Sequence, residues 1–183
     1  LFYVLSKKEL KEIFERLGYP FSKDVLRKNF EYYFSRTSHG STLSLVVHAF
    51  VADLVGNKEK ASEYLVEALK SDIYDSQGGT TQEGIHAGVM GGTLNLFLRS
   101  LGGLTISEDR ICLNPKLPKQ WQSIKFNVRY KNIWFNVKVE KKKITVMAEP
   151  VHKDALQSST EIPIQINNQA HCLCPGERYS VGL

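Results

Sequence analysis

Apolar positions recur at helical spacing through the first hundred or so residues and then change to strict alternation. In "SKKELKEIFERLG", Leu10, Ile13, Phe14 and Leu17 form one stripe, with Ser6 placed to cap, Glu9 three residues on, and Gly18 and Pro20 as the stop. "SKDVLRKNFEYYFSRT" repeats the design, with Ser22 as cap and Val25, Leu26, Phe30, Tyr33 and Phe34 inward. "STLSLVVHAFVADLVG" is apolar almost all round, which predicts a buried helix ending at Gly56. "NKEKASEYLVEALKSDI" carries one apolar face of Ala61, Tyr64, Leu65, Ala68 and Leu69. A last helix, "GIHAGVMGGTLNLFLRSLGG", is rich in small residues where a neighbour must come close. Short connections between these helices predict antiparallel helical hairpins.

From about Arg110 the period is two. Phe126, Val128 and Tyr130 alternate with Lys125, Asn127 and Arg129; Ile133, Phe135, Val137 and Val139 alternate with Asn136, Lys138 and Glu140. Ile144, Val146 and Ala148 follow, then Ile162, Ile164 and Ile166. The turns "YKNI" and "EKKKI" are short enough for hairpins. This predicts an antiparallel sheet with one wet face, in a small sandwich or jelly-roll piece. The run Lys141 to Lys143 then sits at a hairpin tip or charged edge that resists sheet-to-sheet association. The expected division is a helical part over 1–104 and a β-domain over 105–183, with "NPKLPKQW" as the linker. The start, "LFYVLSKKEL", lacks an initiator Met and a signal-peptide n-region and begins inside an apolar run, so the chain is expected to be a fragment of a longer protein.

Composition narrows the class. A hydrophobic fraction of 42% and a charged fraction of 23% are those of a globular domain. The charge of +5 is thinly spread along the helices, which argues against nucleic acid as a partner. No apolar stretch reaches membrane-spanning length, so no membrane partner is expected. Three cysteines without framework spacing argue against a disulfide-built secreted domain, and a cytoplasmic protein is expected.

Two loops carry candidate chemistry. "RTSHGSTLS", Arg36 to Ser44, places a His, a Gly and five hydroxyls at the start of a buried helix. Ser41 or Thr42 is placed to cap that helix. The same geometry, with free N–H groups, a helix dipole and hydroxyls, also suits phosphate. The second loop holds Gly78, Gly79, Thr80, Thr81, Glu83, Gly84 and His86, and again opens a helix. Glu83 there favours the positive helix end, and His86 fits either a core histidine bonded to a carbonyl or a ligand-facing one. Two loops of one type suggest a shared polar pocket. His39, His48 and His86 are too scattered for a zinc pattern, and His48, mid-helix among apolar residues, reads as packing. Cys172 and Cys174 share one face of a strand with His171 opposite, a poor match to zinc's four ligands. The glycine-rich loop lacks the Gly-Lys-Ser/Thr ending of a P-loop, and Ser41 has no G-x-S-x-G setting. No metal or cofactor is expected.

The three stretches "RTSHGSTLSLVVHAF", "QGGTTQEGIHAGVMGGT" and "LNPKLPKQWQSIKFNVRYKNIWFNVKV", in this order and spacing, resemble the C-terminal part of glycoside hydrolase family 65, up to about Val146. That family holds maltose, trehalose and kojibiose phosphorylases and related hydrolases. "HGSTLS" with "QGGTT-EGIH" looks most like a branch found beside, or fused to, a β-phosphoglucomutase-type domain. The resemblance implies the last helices of an (α/α)6 barrel followed by a β-sandwich. It implies inverting cleavage of an α-linked glucose disaccharide, with inorganic phosphate as co-substrate or water in its place. By motif position, Ser41 and Thr42 match the phosphate-holding loop and His86 a histidine on the same phosphate. His39 and Glu83 match positions near the site. Gly40 stands where many phosphorylases have Asp, which leaves phosphate and water both open; for water, Glu83 is the candidate base. The general acid and a phosphate lysine of the family lie upstream of this stretch, so the chain alone is expected to be inactive. A homodimer is a further implication. The other class left open is a non-catalytic carbohydrate-binding or scaffolding module, with Trp121 or Trp134 stacking on a sugar.

Overall fold

Ser6 starts α1 (Lys7–Arg16) with a full capping box: its hydroxyl accepts from the Glu9 amide, and the Glu9 carboxylate accepts from the Ser6 amide. These contacts belong to a computed structural model that describes residues 1–75, 82, 84–107, 109–151 and 161–183. Ser22 precedes α2 (Lys23–Phe34) at the cap position, but its side chain makes no cap bond. The predicted apolar faces are only partly covered. Leu10, Leu26 and Phe30 are buried, whereas Leu17 and Tyr33 are exposed.

The cluster that organises the helical unit lies in α3 (Leu43–Leu54), α4 (Lys58–Lys70) and α5 (Ala87–Leu96). Val46, Ala49, Phe50, Tyr64, Ala68, Val89 and Leu96 are buried together there. Gly56, at φ +84°, turns the chain between α3 and α4, as a left-handed position requires. Gly92 meets the close neighbour expected of a small-residue helix: a Cβ there would lie 2.7 Å from Val46 Cγ1. One turn earlier a Cβ at Gly88 would lie 3.9 Å from Leu43 Cδ1. These contacts advance together along α3 and α5, so the two helices run side by side in the same sense.

A wider π-helical turn, Phe97–Leu101, starts the second unit. The backbone divides at Leu96/Phe97, ahead of "NPKLPKQW", which lies within the second unit between β2 and β3. The unit is built from β1 (Leu104–Ile106), β2 (Ile111–Leu113), β3 (Ser123–Tyr130), β4 (Ile133–Glu140), β5 (Lys143–Pro150), β6 (Ile162–Ile166), β7 (Gln169–Leu173) and β8 (Arg178–Gly182). They form two four-stranded sheets, β1-β2-β6-β7 and β3-β4-β5-β8. Inward residues of both sheets, from Leu113 and Ile164 to Phe135 and Val146, make one hydrophobic cluster.

Both predicted hairpins form, with Tyr130 opposite Ile133 and Glu140 opposite Lys143. The first turn is Lys131–Asn132, both at positive φ (47° and 62°), the primed geometry that matches strand twist. The purely antiparallel expectation needs one correction: β2 and β6 pair in parallel. Parallel neighbours cannot share a tight turn, and here the β3–β5 meander lies in sequence between them. Alternation alone carries no sign of strand direction.

Candidate functional site

The first loop is framed by the end of α2. Thr37 Oγ1 donates to the Tyr33 carbonyl (2.8 Å) and Arg36 Nη1 to the Tyr32 carbonyl (3.1 Å), so side chains satisfy carbonyls that the helix end leaves open. His39 follows in the left-handed region, at φ 51°. Thr42 occupies the cap position of α3 without a cap bond, while the Ser41 hydroxyl accepts from the Leu43 amide at 3.3 Å. The next two amides are also engaged: Ser44 N–H donates to the Ser41 carbonyl and Leu45 N–H to the Thr42 carbonyl. In this arrangement an anion at the start of α3 meets hydroxyls and imidazoles rather than open helix amides. Ser41 is exposed there, and Thr42 is buried.

Ser44 ties two histidines to this loop. Its hydroxyl donates to the Ser41 carbonyl (2.7 Å), so it accepts from His39 Nδ1 (2.8 Å), and neutral His39 carries its proton on Nδ1. His48 Nδ1 donates to the Ser44 carbonyl at 2.9 Å. The His39 and His48 rings lie 4.8 Å apart, with Tyr64 5.0 Å from His39. Burial, and secondarily the charge of His48, push the His39 imidazole below its ordinary value of 6.5, against a smaller pull from Glu67. The folded state thus resists a proton that the unfolded chain accepts. The stabilisation is complete above that value and declines as the pH falls through it. Thermal unfolding from about pH 7.5 to about pH 5.5 should therefore show a steeper fall in Tm for the parent protein than for His39→Gln. Equal slopes would contradict it.

Asp72 and His86, which flank the second loop in sequence, are bonded to each other. Asp72 lies in the turn after α4, just beyond Ser71, whose buried hydroxyl donates to the Ala68 carbonyl. His86 is the residue before α5, and its carbonyl accepts from the Val89 and Met90 amides. The Asp72 carboxylate takes the His86 amide (3.0 and 3.2 Å) and His86 Nδ1 (2.5 Å). The ring hydrogen bond, foremost, holds the Asp72 carboxyl below the usual carboxylate range; burial acts in the opposite sense. A carboxylate only accepts, so Nδ1 bears the proton. Among the described residues no group bonds Nε2. Asp72 lies outside the quoted motifs, and Ser44 is the last residue of "HGSTLS", where Ser41 and Thr42 carry the expected role. The one local hint was an acid beside a serine at the end of a predicted helix, across the glycine-rich loop from His86. Glu83 lies outside the described residues.

A Cβ at Gly88 would lie 3.9 Å from Leu43 Cδ1, so the starts of α3 and α5 are neighbours. A separate cavity of about 390 Å³ in the helical unit is lined by apolar side chains such as Tyr3, Phe14, Phe30 and Val51, with His48 at its wall. Ser41, Thr42 and His86 do not line it. Trp134 lies on the outer face of β4, 41% exposed, between Arg129 and Glu149 in register. Trp121 instead stacks on Phe97. Among the described residues no three His, Cys, Asp or Glu side chains are grouped to hold a metal, and no helix is long and apolar enough to cross a membrane.

Residues 2–95 match the model of the glycosyl hydrolase family 65 central catalytic domain, and residues 104–173 match that of the family's C-terminal domain. The chain is 38% identical over 171 residues to an uncharacterized glycosyl hydrolase of Mycobacterium tuberculosis, covering 93% of this chain and 12% of the relative. It is 36% identical over 148 residues to trehalose 6-phosphate phosphorylase of Lactococcus lactis, covering 81% and 19%. A solved structure of a human-microbiome protein, provisionally named a kojibiose phosphorylase, superposes with a TM-score of 0.70 at 26% identity, over 89% of this chain and 20% of that one. The chain thus spans a fifth or less of the length of each of these proteins. With both domain models matched in order along it, the chain belongs to glycosyl hydrolase family 65.

Proposed function

We propose that the chain is part of an inverting α-glucoside phosphorylase or hydrolase and supplies the wall of its active site that holds phosphate. The observation that supports this is the side-by-side start of α3 and α5; on this reading Ser41, Thr42 and His39, before α3, face the same phosphate as His86, before α5. Exposed Ser41 offers a hydroxyl, and His86 offers Nε2, both suited to phosphate oxygens. A Glu acid from the upstream part protonates the leaving oxygen. Phosphate attacks the anomeric carbon from the opposite face, and the glucosidic C–O bond breaks with inversion to β-glucose 1-phosphate. In a hydrolytic member water takes that place and Glu83 removes its proton.

On this reading the unit up to Leu96 is the last helices of an (α/α)6 barrel and the unit from Phe97 a β-sandwich. Helices of one sense, α3 and α5, joined through α4, fit neighbouring inner helices of such a barrel. Exposed Ile85 and Leu94, 78% and 66% accessible, fit a surface that the rest of the barrel covers. The partners are then the upstream part of the same enzyme, an α-linked glucose disaccharide, phosphate, a β-phosphoglucomutase-type domain and a second copy in a cytoplasmic homodimer. The 183-residue chain alone does not turn over.

The test uses the whole protein with trehalose, kojibiose, maltose or trehalose 6-phosphate. Cleavage should depend on phosphate, and Ser41→Ala and Thr42→Ala should each raise the phosphate KM about tenfold while leaving the disaccharide KM near its parent value. Phosphate-independent release of free glucose, unmoved by either substitution, would favour hydrolysis. Cleavage of none of these sugars would sink the proposal.

A further inference from the structure

We propose that Asp72 is a positioning residue for phosphate, acting through the ring of His86; this rests on the phosphate role given to His86 above. The carboxylate grips His86 at two points, the main-chain amide and ring Nδ1, across an interval of 14 residues. Asp72 is fixed in its own right by the turn after α4, where the Ile73 and Tyr74 amides both bond the Lys70 carbonyl. Its side chain is 13% exposed and that of His86 29%, so the pair is shielded while the imidazole keeps an open side.

The bond to Nδ1 decides what the open side offers. With Nδ1 protonated and engaged, the neutral ring turns a lone pair outward at Nε2, which accepts from a phosphate hydroxyl. A ring carrying a second proton donates from Nε2 to a phosphate oxygen. Either way Nε2 is the atom presented, and the ring cannot flip to exchange its nitrogens without breaking the Asp72 contact. This is the arrangement in which a carboxylate behind a histidine sets its tautomer and aim. The amide contact alone has a different role, since it closes the loop whatever side chain stands at residue 86.

These roles separate in a double-mutant cycle read by calorimetric titration of the whole protein with inorganic phosphate. Asp72→Ala and His86→Gln should each weaken binding about tenfold, and the double variant should bind no more weakly than His86→Gln alone. Asp72→Asn, which keeps an acceptor for Nδ1–H at native size, should lose less than Asp72→Ala; Asp72→Leu, which keeps the bulk without an acceptor, serves if Asp72→Ala does not fold. Additive losses, with Asp72→Ala still costing about tenfold in the His86→Gln background, would reduce Asp72 to a loop staple and overturn the proposal. So would an unchanged phosphate affinity in Asp72→Ala or, where that variant does not fold, in Asp72→Leu. A parent protein that binds no phosphate would instead remove the phosphate reading, and this inference with it.

Discussion

Gly103→Ala is expected to destabilise the β-unit by about 3 kcal/mol or more. Gly103 sits at φ +65°, and a Cβ there would lie 2.0 Å from the Asn114 carbonyl oxygen and 2.6 Å from the Asn114 nitrogen. These are backbone atoms, so no rotamer change relieves the overlap. Nor can the strands part freely, because the Asn114 amide donates to the Gly103 carbonyl at 3.0 Å and Leu104 pairs with Leu113 in the adjoining register. Leu113 lies in the cluster shared by the two sheets, so a shift of β1 reaches the core. Gly182→Ala is the control: the nearest atom to its Cβ would be 3.8 Å away, and β8 should accept it with little change. Urea unfolding of the two variants beside the parent protein checks this, and a Gly103→Ala midpoint equal to the parent's would refute it.

The β-unit was the more legible half. Ile133, Phe135, Val137 and Val139 alternate because β4 buries one face, and the structure buries these four and leaves Trp134 exposed. Two-residue turns then force the antiparallel pairing of β3, β4 and β5. The partner of β2 was not legible, since β6 arrives from far along the chain and side-chain alternation reads the same in either strand direction. In the helical unit, periodicity located α1 to α5 but overstated their burial. Leu17 and Tyr33 complete apolar stripes in sequence and lie exposed in space. A stripe states which face is apolar and leaves open what covers it.

The site divides along the same line. Local motifs marked "HGSTLS" and "EGIH" because hydroxyls, glycine and histidine before a helix suit either a cap or an anion, and the family resemblance selects the anion. The contacts that give those residues their geometry are another matter. Asp72 reaches His86 from 14 residues away, and Ser44, the last residue of "HGSTLS", turns its hydroxyl back to His39. Neither bond has a periodic or compositional signature, since each depends on how α4, α5 and the loop before α3 fold together.

Gly92 links helix spacing to that geometry. Gly92→Leu is expected to destabilise the helical unit by about 2 to 3 kcal/mol, because its Cβ alone would lie 2.7 Å from Cγ1 of fully buried Val46. The higher helix propensity of leucine offsets less than about 1 kcal/mol of this. The larger consequence is functional. A Cβ at Gly88, one turn before Gly92, would lie 3.9 Å from Leu43 at the start of α3, so on the proposed reading forcing α5 away from Val46 also moves His86 relative to Ser41 and Thr42. Phosphate affinity of the whole protein should fall about tenfold in Gly92→Leu. The double variant Gly92→Ala with Val46→Ala removes both Cγ atoms that a Cβ would meet. It should keep phosphate affinity within about a factor of three of the parent, with the two stability changes partly cancelling rather than adding. Calorimetry with inorganic phosphate, paired with thermal unfolding, separates the two effects. A Gly92→Leu variant that is destabilised yet binds phosphate like the parent protein would show that the spacing of α3 and α5 does not set the site.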